Sequence, residues 1–324
     1  MIVEILLVIL HAKLFLIHST YFLMHNQSKA YSLALISIAF WSTMGTAFKL
    51  TLNYLNPGML LLIATFTAFI FLGIVVLIKG KLNILNELTA KQAINSSLMG
   101  LFNPFLYYLV LFEAYNLIPA QEGVALNYIW PVILVIFSII FLKQHITMLS
   151  VMAIIVSFAG TIVIAVHGNF TEFRFSNTTG VILAIGSAFF WASFWIINMK
   201  DPREAIVKMF VNFAFGAFYI LCWNIFKHNI IVPPLPGLAG AIYIGVFEMG
   251  LTFVLWLTAL KLSTHTARVS NLVFISPFIS LILVSFFVGE KILLSTVIGL
   301  AIIVAGIVIQ QYSQWREKRI VIKE

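Results

Sequence analysis

The chain has 324 residues, 62% of them hydrophobic and 9% charged, with a mean hydropathy of +1.07; soluble domains carry about 25% charged residues, so a water-soluble fold is excluded and the surplus apolar surface must face lipid. The net charge of +8 does not indicate nucleic acid, because the basic residues sit in short loops and at the C-terminus rather than in a stripe with interleaved aromatics. The single cysteine, Cys222, lies in an apolar run, which excludes an intrachain disulfide and a Cys-based metal centre.

Residues 1–23 open the chain with apolar sequence interrupted by Glu4, His11, Lys13 and His18. That pattern suits neither a spanning helix, where each mid-bilayer charge costs about 2.5–3.5 kcal/mol, nor a signal peptide. The segment reads as an N-terminal extension ahead of an ordinary start near Met24, with an interfacial helix and an extra span as the alternatives. A membrane helix needs about 20 apolar residues, which places spans at 30–49, 58–78, 97–117, 120–142, 148–167, 179–199, 206–226, 237–260, 265–288 and 293–312. The predicted fold class is therefore an all-α membrane protein of ten transmembrane helices. Between the spans, 79–96 reads as an amphipathic surface segment, 169–178 as a polar loop and 200–204 as a charged turn. Pro233, Pro234 and Pro236 mark a helix boundary. A basic tail, 313–324, closes the chain.

Lys and Arg in short loops set orientation. With residue 29 in the cytoplasm, thirteen basic residues fall inside and four, Lys49, Arg174, Lys227 and Lys291, outside. Both termini are expected to be cytoplasmic.

The second half repeats the first. At an offset of 146, Pro131, Ala159 and Gly160 meet Pro277, Ala305 and Gly306, within eight identities over residues 131–164. At an offset of 145, Gly100, Phe102 and Ala114 meet Gly245, Phe247 and Ala259; at 150, Phe40-Trp41 meets Phe190-Trp191. The chain divides into five-helix repeats at 30–167 and 179–312. Five is odd, so the second repeat enters the membrane inverted. Inverted repeats characterise secondary transporters, whose site lies near the midplane between the repeats.

Ionisable residues inside a membrane are costly and mark candidate sites. Glu113, Glu122, Glu248 and Arg268 stand out. Glu122 and Arg268 occupy equivalent repeat positions, but inversion places them at opposite membrane faces, as gate candidates rather than an ion pair. Glu248 falls near the middle of its span, with Asn103 as its repeat mate; it can bind a substrate ammonium or exchange a proton. Trp41, Trp191 and Trp256 lie within helices rather than at the interfaces, and Tyr107 and Tyr108 are mid-span. The run Asn127-Tyr128-Ile129-Trp130-Pro131 sets an amide, a phenol and a helix-breaking proline in one turn, and Pro277 repeats the break. The substrate-binding candidates are Trp41, Ser42, Thr43, Asn103, Tyr107, Tyr108, Asn127, Tyr128, Trp130, Trp191, Glu248, Trp256 and Asn271. No catalytic constellation is present, and no cofactor or metal is called for.

At Trp41-Ser42-Thr43, Asn127-Tyr128-Ile129-Trp130-Pro131, Trp191 and Gly289-Glu290-Lys291 the chain resembles the EamA-type drug/metabolite transporters. The first two pieces look most like the bacterial aromatic-amino-acid exporter branch. The resemblance covers residues 30–312. It implies two inverted five-helix repeats around a central cavity, and export of amino acids or related metabolites across a bacterial inner membrane. The Gly-Glu pair after the fourth helix of a repeat is present only in the second half; Lys143-Gln144 stand there in the first. The expected partners are a small-molecule substrate and the bilayer, with proton coupling through Glu248 as one option and a monomer or weak oligomer as the working state. The alternatives are a membrane-embedded enzyme, or a transporter of another cargo class such as drugs or nucleotide-sugars. A polyanion would want more cavity cations than Arg268 and Lys49.

Overall fold

The computed structural model describes the backbone of residues 2–85, 88–142, 148–169, 176–199, 201–263 and 272–321. Among the described residues the regular structure is helical, without strands. Helix α1 (Ile2–Leu52) is 51 residues long, about 76 Å at 1.5 Å per residue. That far exceeds a bilayer, and the portion suited to cross one is Gln27–Leu52. Helix α2 (Pro57–Ile78) starts where Asn56 accepts the Met59 N–H and Pro57 fills the first turn. The connection 79–96 is shorter than the sequence suggests. After a single 3₁₀ turn at Leu82–Leu85, a Thr89–Gln92 capping box starts α3 at Ala90.

Helix α3 comprises Ala90–Gly100 and Tyr107–Leu117, joined by a wide π turn at Leu101–Leu106. The run 120–142 is broken into α4 (Ala120–Asn127) and α5 (Trp130–Leu142). The break falls at Tyr128-Ile129, so Pro131 enters the first turn of α5, where its missing N–H costs nothing. Then follow α6 (Met148–Ala165), α7 (Thr178–Met199) and α8 (Ala205–Phe226). Helix α9 joins Leu235–Ile244 to Leu251–Leu262 through a second wide turn, Gly245–Gly250, at the repeat position of the first. Helix α10 (Ser276–Val288) follows a 3₁₀ turn at Leu272–Ile275, with Pro277 in its first turn as Pro131 is in α5. Helix α11 runs Leu294–Val321.

Among the described residues, six helical stretches are long and apolar enough to cross a membrane: Gln27–Leu52, Pro57–Ile78, Ala90–Leu117, Thr178–Asn198, Ala205–Phe226 and Leu235–Leu260. Val151–Ile164, Leu272–Val288 and Leu294–Ile309 are shorter apolar helices. Large apolar side chains such as Ile70, Phe218, Ile282 and Phe286 stand exposed on the outside, where lipid rather than water is the compatible solvent.

The two halves interleave. Helix α1 packs on α9 and α10, and α7 packs on α3, α4 and α5. Helix α2 lies on α8 and α9, α8 on α2 and α3, and α6 on α11. The α6–α11 seam is reciprocal: Gly160 faces the Gly299 carbonyl, and Gly306 faces the Ala153 carbonyl. Small residues let these backbones approach.

Candidate functional site

Glu248 sits in the wide turn of α9 and is 8% exposed. In such a turn one peptide is displaced from the regular ladder, a feature common at functional positions. The Tyr108 hydroxyl, from α3, donates to Glu248 Oε1 at 3.0 Å. Glu248 Oε2 is buried and has no hydrogen-bond partner. A half-satisfied buried carboxyl is an unstable arrangement unless a proton, a water or a ligand completes it. Tyr108 is fully buried, held edge-on by Tyr107 at 4.6 Å and against Phe112 at 5.5 Å, so its hydroxyl is fixed in place.

Aromatic rings extend from this pair as one connected cluster. Tyr107 lies 4.7 Å from Trp191, which touches Trp130 at 6.4 Å and Phe253 at 5.9 Å. Phe253 meets Trp41 at 6.4 Å, and Trp41 meets Trp256 at 5.1 Å. Six of the aromatic residues singled out from the sequence thus come together, drawn from α1, α3, α5, α7 and α9. Hydroxyls and amides line the same region. Tyr107 donates to Asn127 Oδ1 at 3.4 Å, and Asn127 Nδ2 donates to Ser187 Oγ at 2.8 Å. Tyr128 donates to the Val273 carbonyl at 3.3 Å, Ser42 to Ser276 Oγ at 3.2 Å, and Thr43 Oγ1 pairs with Tyr243 at 2.8 Å.

Asn103 lies in the wide turn of α3, as Glu248 does in that of α9. Its backbone leaves the helical region (φ −146°, ψ 117°) and its side chain is fully buried with neither amide atom partnered. Glu113 is only partly buried on α3. Asn271 and Arg268 lie outside the described residues, as does the Lys143-Gln144 pair.

Glu122 is buried in the first turn of α4, where Oε1 pairs with His167 Nε2 at 2.7 Å and Oε2 accepts from Ser176 at 2.6 Å. This network lies at one end of the helices, away from Glu248. At the opposite end, Arg203 and Asp201 pair at 2.5 Å and reach α3 through Arg203 Nη2 to Ser96 Oγ (2.7 Å) and Asn95 Nδ2 to Asp201 Oδ2 (3.1 Å). Lys208 donates to the Asn198 and Asp201 carbonyls, and Lys81 pairs with Glu204. Burial pushes the Asp201 carboxyl up, but the Arg203 hydrogen bonds and the Arg203 and Lys208 charges outweigh it and hold the group below the usual carboxylate range.

Phe253, Ser187, Ser276 and Tyr243 were not singled out from the sequence. Phe253 is one of 30 phenylalanines, and nothing local sets it apart. Ser276 had a signal, its place beside Pro277 at a repeated helix break. Among the described residues no group of three His, Cys, Asp or Glu side chains gathers to hold a metal ion.

The chain is a membrane-embedded helical bundle with a buried carboxyl set among aromatic and polar side chains, and its family membership makes it a transporter. The EamA-like transporter family model matches the chain twice, at 28–166 and 178–310, and the protein belongs to that family. Similar proteins include the uncharacterized transporter YvbV of Bacillus subtilis, 26% identical over 64% of this chain and 68% of that one. The aromatic amino acid exporter YddG of Ancylobacter novellus is 26% identical over 73% of this chain and 81% of that one. An uncharacterized transporter of Archaeoglobus fulgidus is 23% identical over 87% and 98%. One solved crystal structure superposes with a TM-score of 0.63 at 19% identity, covering 88% of this chain and 98% of that one, which shows the shared fold.

Proposed function

We propose that this transporter is a secondary exporter that moves a small metabolite by alternating access, and that its cargo is an amino acid or related compound, with aromatic amino acids the leading candidates. The observation that carries the reading is Glu248, whose one oxygen is held by Tyr108 and whose other is free, set against the cluster of Trp41, Tyr107, Trp191, Phe253 and Trp256. A carboxylate with a spare acceptor suits an ammonium group, and flat aromatic faces suit both that cation and an aromatic side chain. The exporter name carried by a 26% identical relative supports the same class.

The reading includes ten membrane crossings arranged as five plus an inverted five, in a bacterial cell membrane with both termini cytoplasmic. The matching wide turns of α3 and α9, the matching proline starts of α5 and α10, and the reciprocal glycine contacts of α6 and α11 support a two-fold relation between the halves. Because the halves interleave, the moving bodies in this scheme are mixed bundles, α1 with α9 and α10 against α7 with α3 to α5. Their seam runs past Glu248. The remaining site residues, Ser42, Thr43, Asn103, Asn127, Tyr128, Trp130 and Asn271, are proposed to shape this cavity, and Glu122 and Arg268 to act at its two ends.

Purified protein in proteoliposomes loaded with labelled tryptophan tests the proposal. Glu248→Gln is expected to lower efflux roughly tenfold or more, the loss of one charge-assisted contact of about 1.5–3 kcal/mol. Wild-type rates in that variant across several pH values would remove the site. Stimulation of efflux by an imposed pH gradient supports proton coupling through Glu248, and indifference to it supports facilitated efflux.

A further inference from the structure

The corner between α3 and α4 is held from both sides by charge. Lys49 Nζ, from α1, donates to the Tyr115 and Ile118 carbonyls at 2.7 and 2.8 Å, at the carbonyl end of α3. Two residues on, α4 begins, and its first peptide N–H groups have no partner within the helix. Glu290 supplies one from the other half. Its Oε1 accepts the Ala120 N–H at 2.8 Å and its Oε2 the Gln121 N–H at 3.1 Å. Gln121 returns the contact: Nε2 donates to the Lys291 carbonyl at 3.0 Å, and Oε1 accepts from Leu293 N–H at 2.9 Å and Thr296 Oγ1 at 3.3 Å. Gly289 ends α10 in the left-handed conformation (φ +79°) and so turns the chain to present Glu290.

We propose that Glu290 is a latch that holds the outer end of the transport route shut by capping α4 across the two halves. A carboxylate at a helix N-terminus and a cation at a helix C-terminus are both favoured by the helix dipole, and charge-assisted hydrogen bonds are roughly twice as strong as neutral ones. Helix α4 is short, about 12 Å at 1.5 Å per residue, and ends at Asn127, which is bonded to Tyr107 and Ser187 in the site. Release of its first turn therefore loosens an element that reaches the proposed site. The sequence is asymmetric here. Gln144 stands at the repeat position of Glu290 and lies outside the described residues. The assignment to the outer face rests on the orientation proposed above; the latch itself needs no knowledge of the cargo.

The test reads accessibility. In a Cys222→Ser background, Ser42→Cys places a thiol at a fully buried position between the halves. A membrane-impermeant maleimide is added from the outside of right-side-out vesicles, or from the inner face of inverted ones. Glu290→Ala is expected to speed outer labelling about tenfold, and Glu290→Gln by less, with inner labelling no faster. Unchanged outer rates in both variants overturn the proposal, as does acceleration confined to the inner face. As a second reading with Glu290 intact, Gln121→Cys and Leu293→Cys are joined by a short thiol cross-link. Linking should abolish residual outer labelling of the reporter and reduction should restore it; a linked protein that labels as fast as the reduced one overturns the latch.

Discussion

Substituting Gly160 with alanine tests the α6–α11 seam, where two helix backbones approach closely. A Cβ at Gly160 would lie 2.6 Å from the Gly299 carbonyl oxygen, 2.9 Å from Ile303 N and 2.9 Å from Ile303 Cγ1. Ordinary C···O contacts are about 3.3–3.6 Å, so the helices must part by roughly 0.7–1 Å. Two of the three obstructing atoms are backbone, and a rotamer change cannot relieve them. Overpacking of this kind costs about 1–3 kcal/mol. Gly306 is its repeat mate and would place a Cβ 2.7 Å from the Ala153 carbonyl oxygen, besides striking Ser157 Oγ; Gly306→Ala should cost a similar amount. Gly186 in α7 supplies the control, because nothing lies within 4 Å of a Cβ there. Gly186→Ala should be neutral or stabilising by up to about 1 kcal/mol, from lost unfolded-state freedom. The assay is the unfolding midpoint of purified protein in mixed micelles on titration with a denaturing detergent. If Gly160→Ala is as stable as Gly186→Ala, the backbone approach does not limit packing and the reasoning fails.

Asp201→Asn should reduce stability at neutral pH, because the native pairing with Arg203 holds this carboxyl below its ordinary range. The sign follows from linkage: the contribution is present above the ordinary carboxylate pKa and disappears as pH falls through the lowered native value. The difference between parent and variant should therefore shrink on acidification from pH 7 towards pH 3, as read by thermal unfolding; a constant difference would refute it. Gly289→Ala should cost about 1–2 kcal/mol from the left-handed backbone alone, since no atom lies within 4 Å of the new methyl. Gly289→Asn should recover part of that loss in the same measurement, because asparagine tolerates this conformation better.

Membrane residence, helical character and the duplication follow from the sequence by itself. Apolar runs of spanning length, and markers such as Pro131 and Pro277 or Gly160 and Gly306, are readable along one dimension. So was the prominence of Glu248, a carboxyl in the middle of an apolar run. Its partner was not readable as a pair: Tyr108 is 140 residues away, and only the wide turn of α9 and the packing of α3 bring the two oxygens to 3.0 Å. The linking role of Phe253 is equally silent, because one phenylalanine among 30 has no local signature. Glu290 stood out as part of a motif, yet its task depends on amides 169 and 170 residues earlier, in the other half. The interleaving of the halves is the common cause. Length and hydropathy decide that a segment enters lipid, where its backbone must bond within itself. Which helix lies against which is decided by close packing and by a few buried polar contacts, and those exist only once the chain is folded.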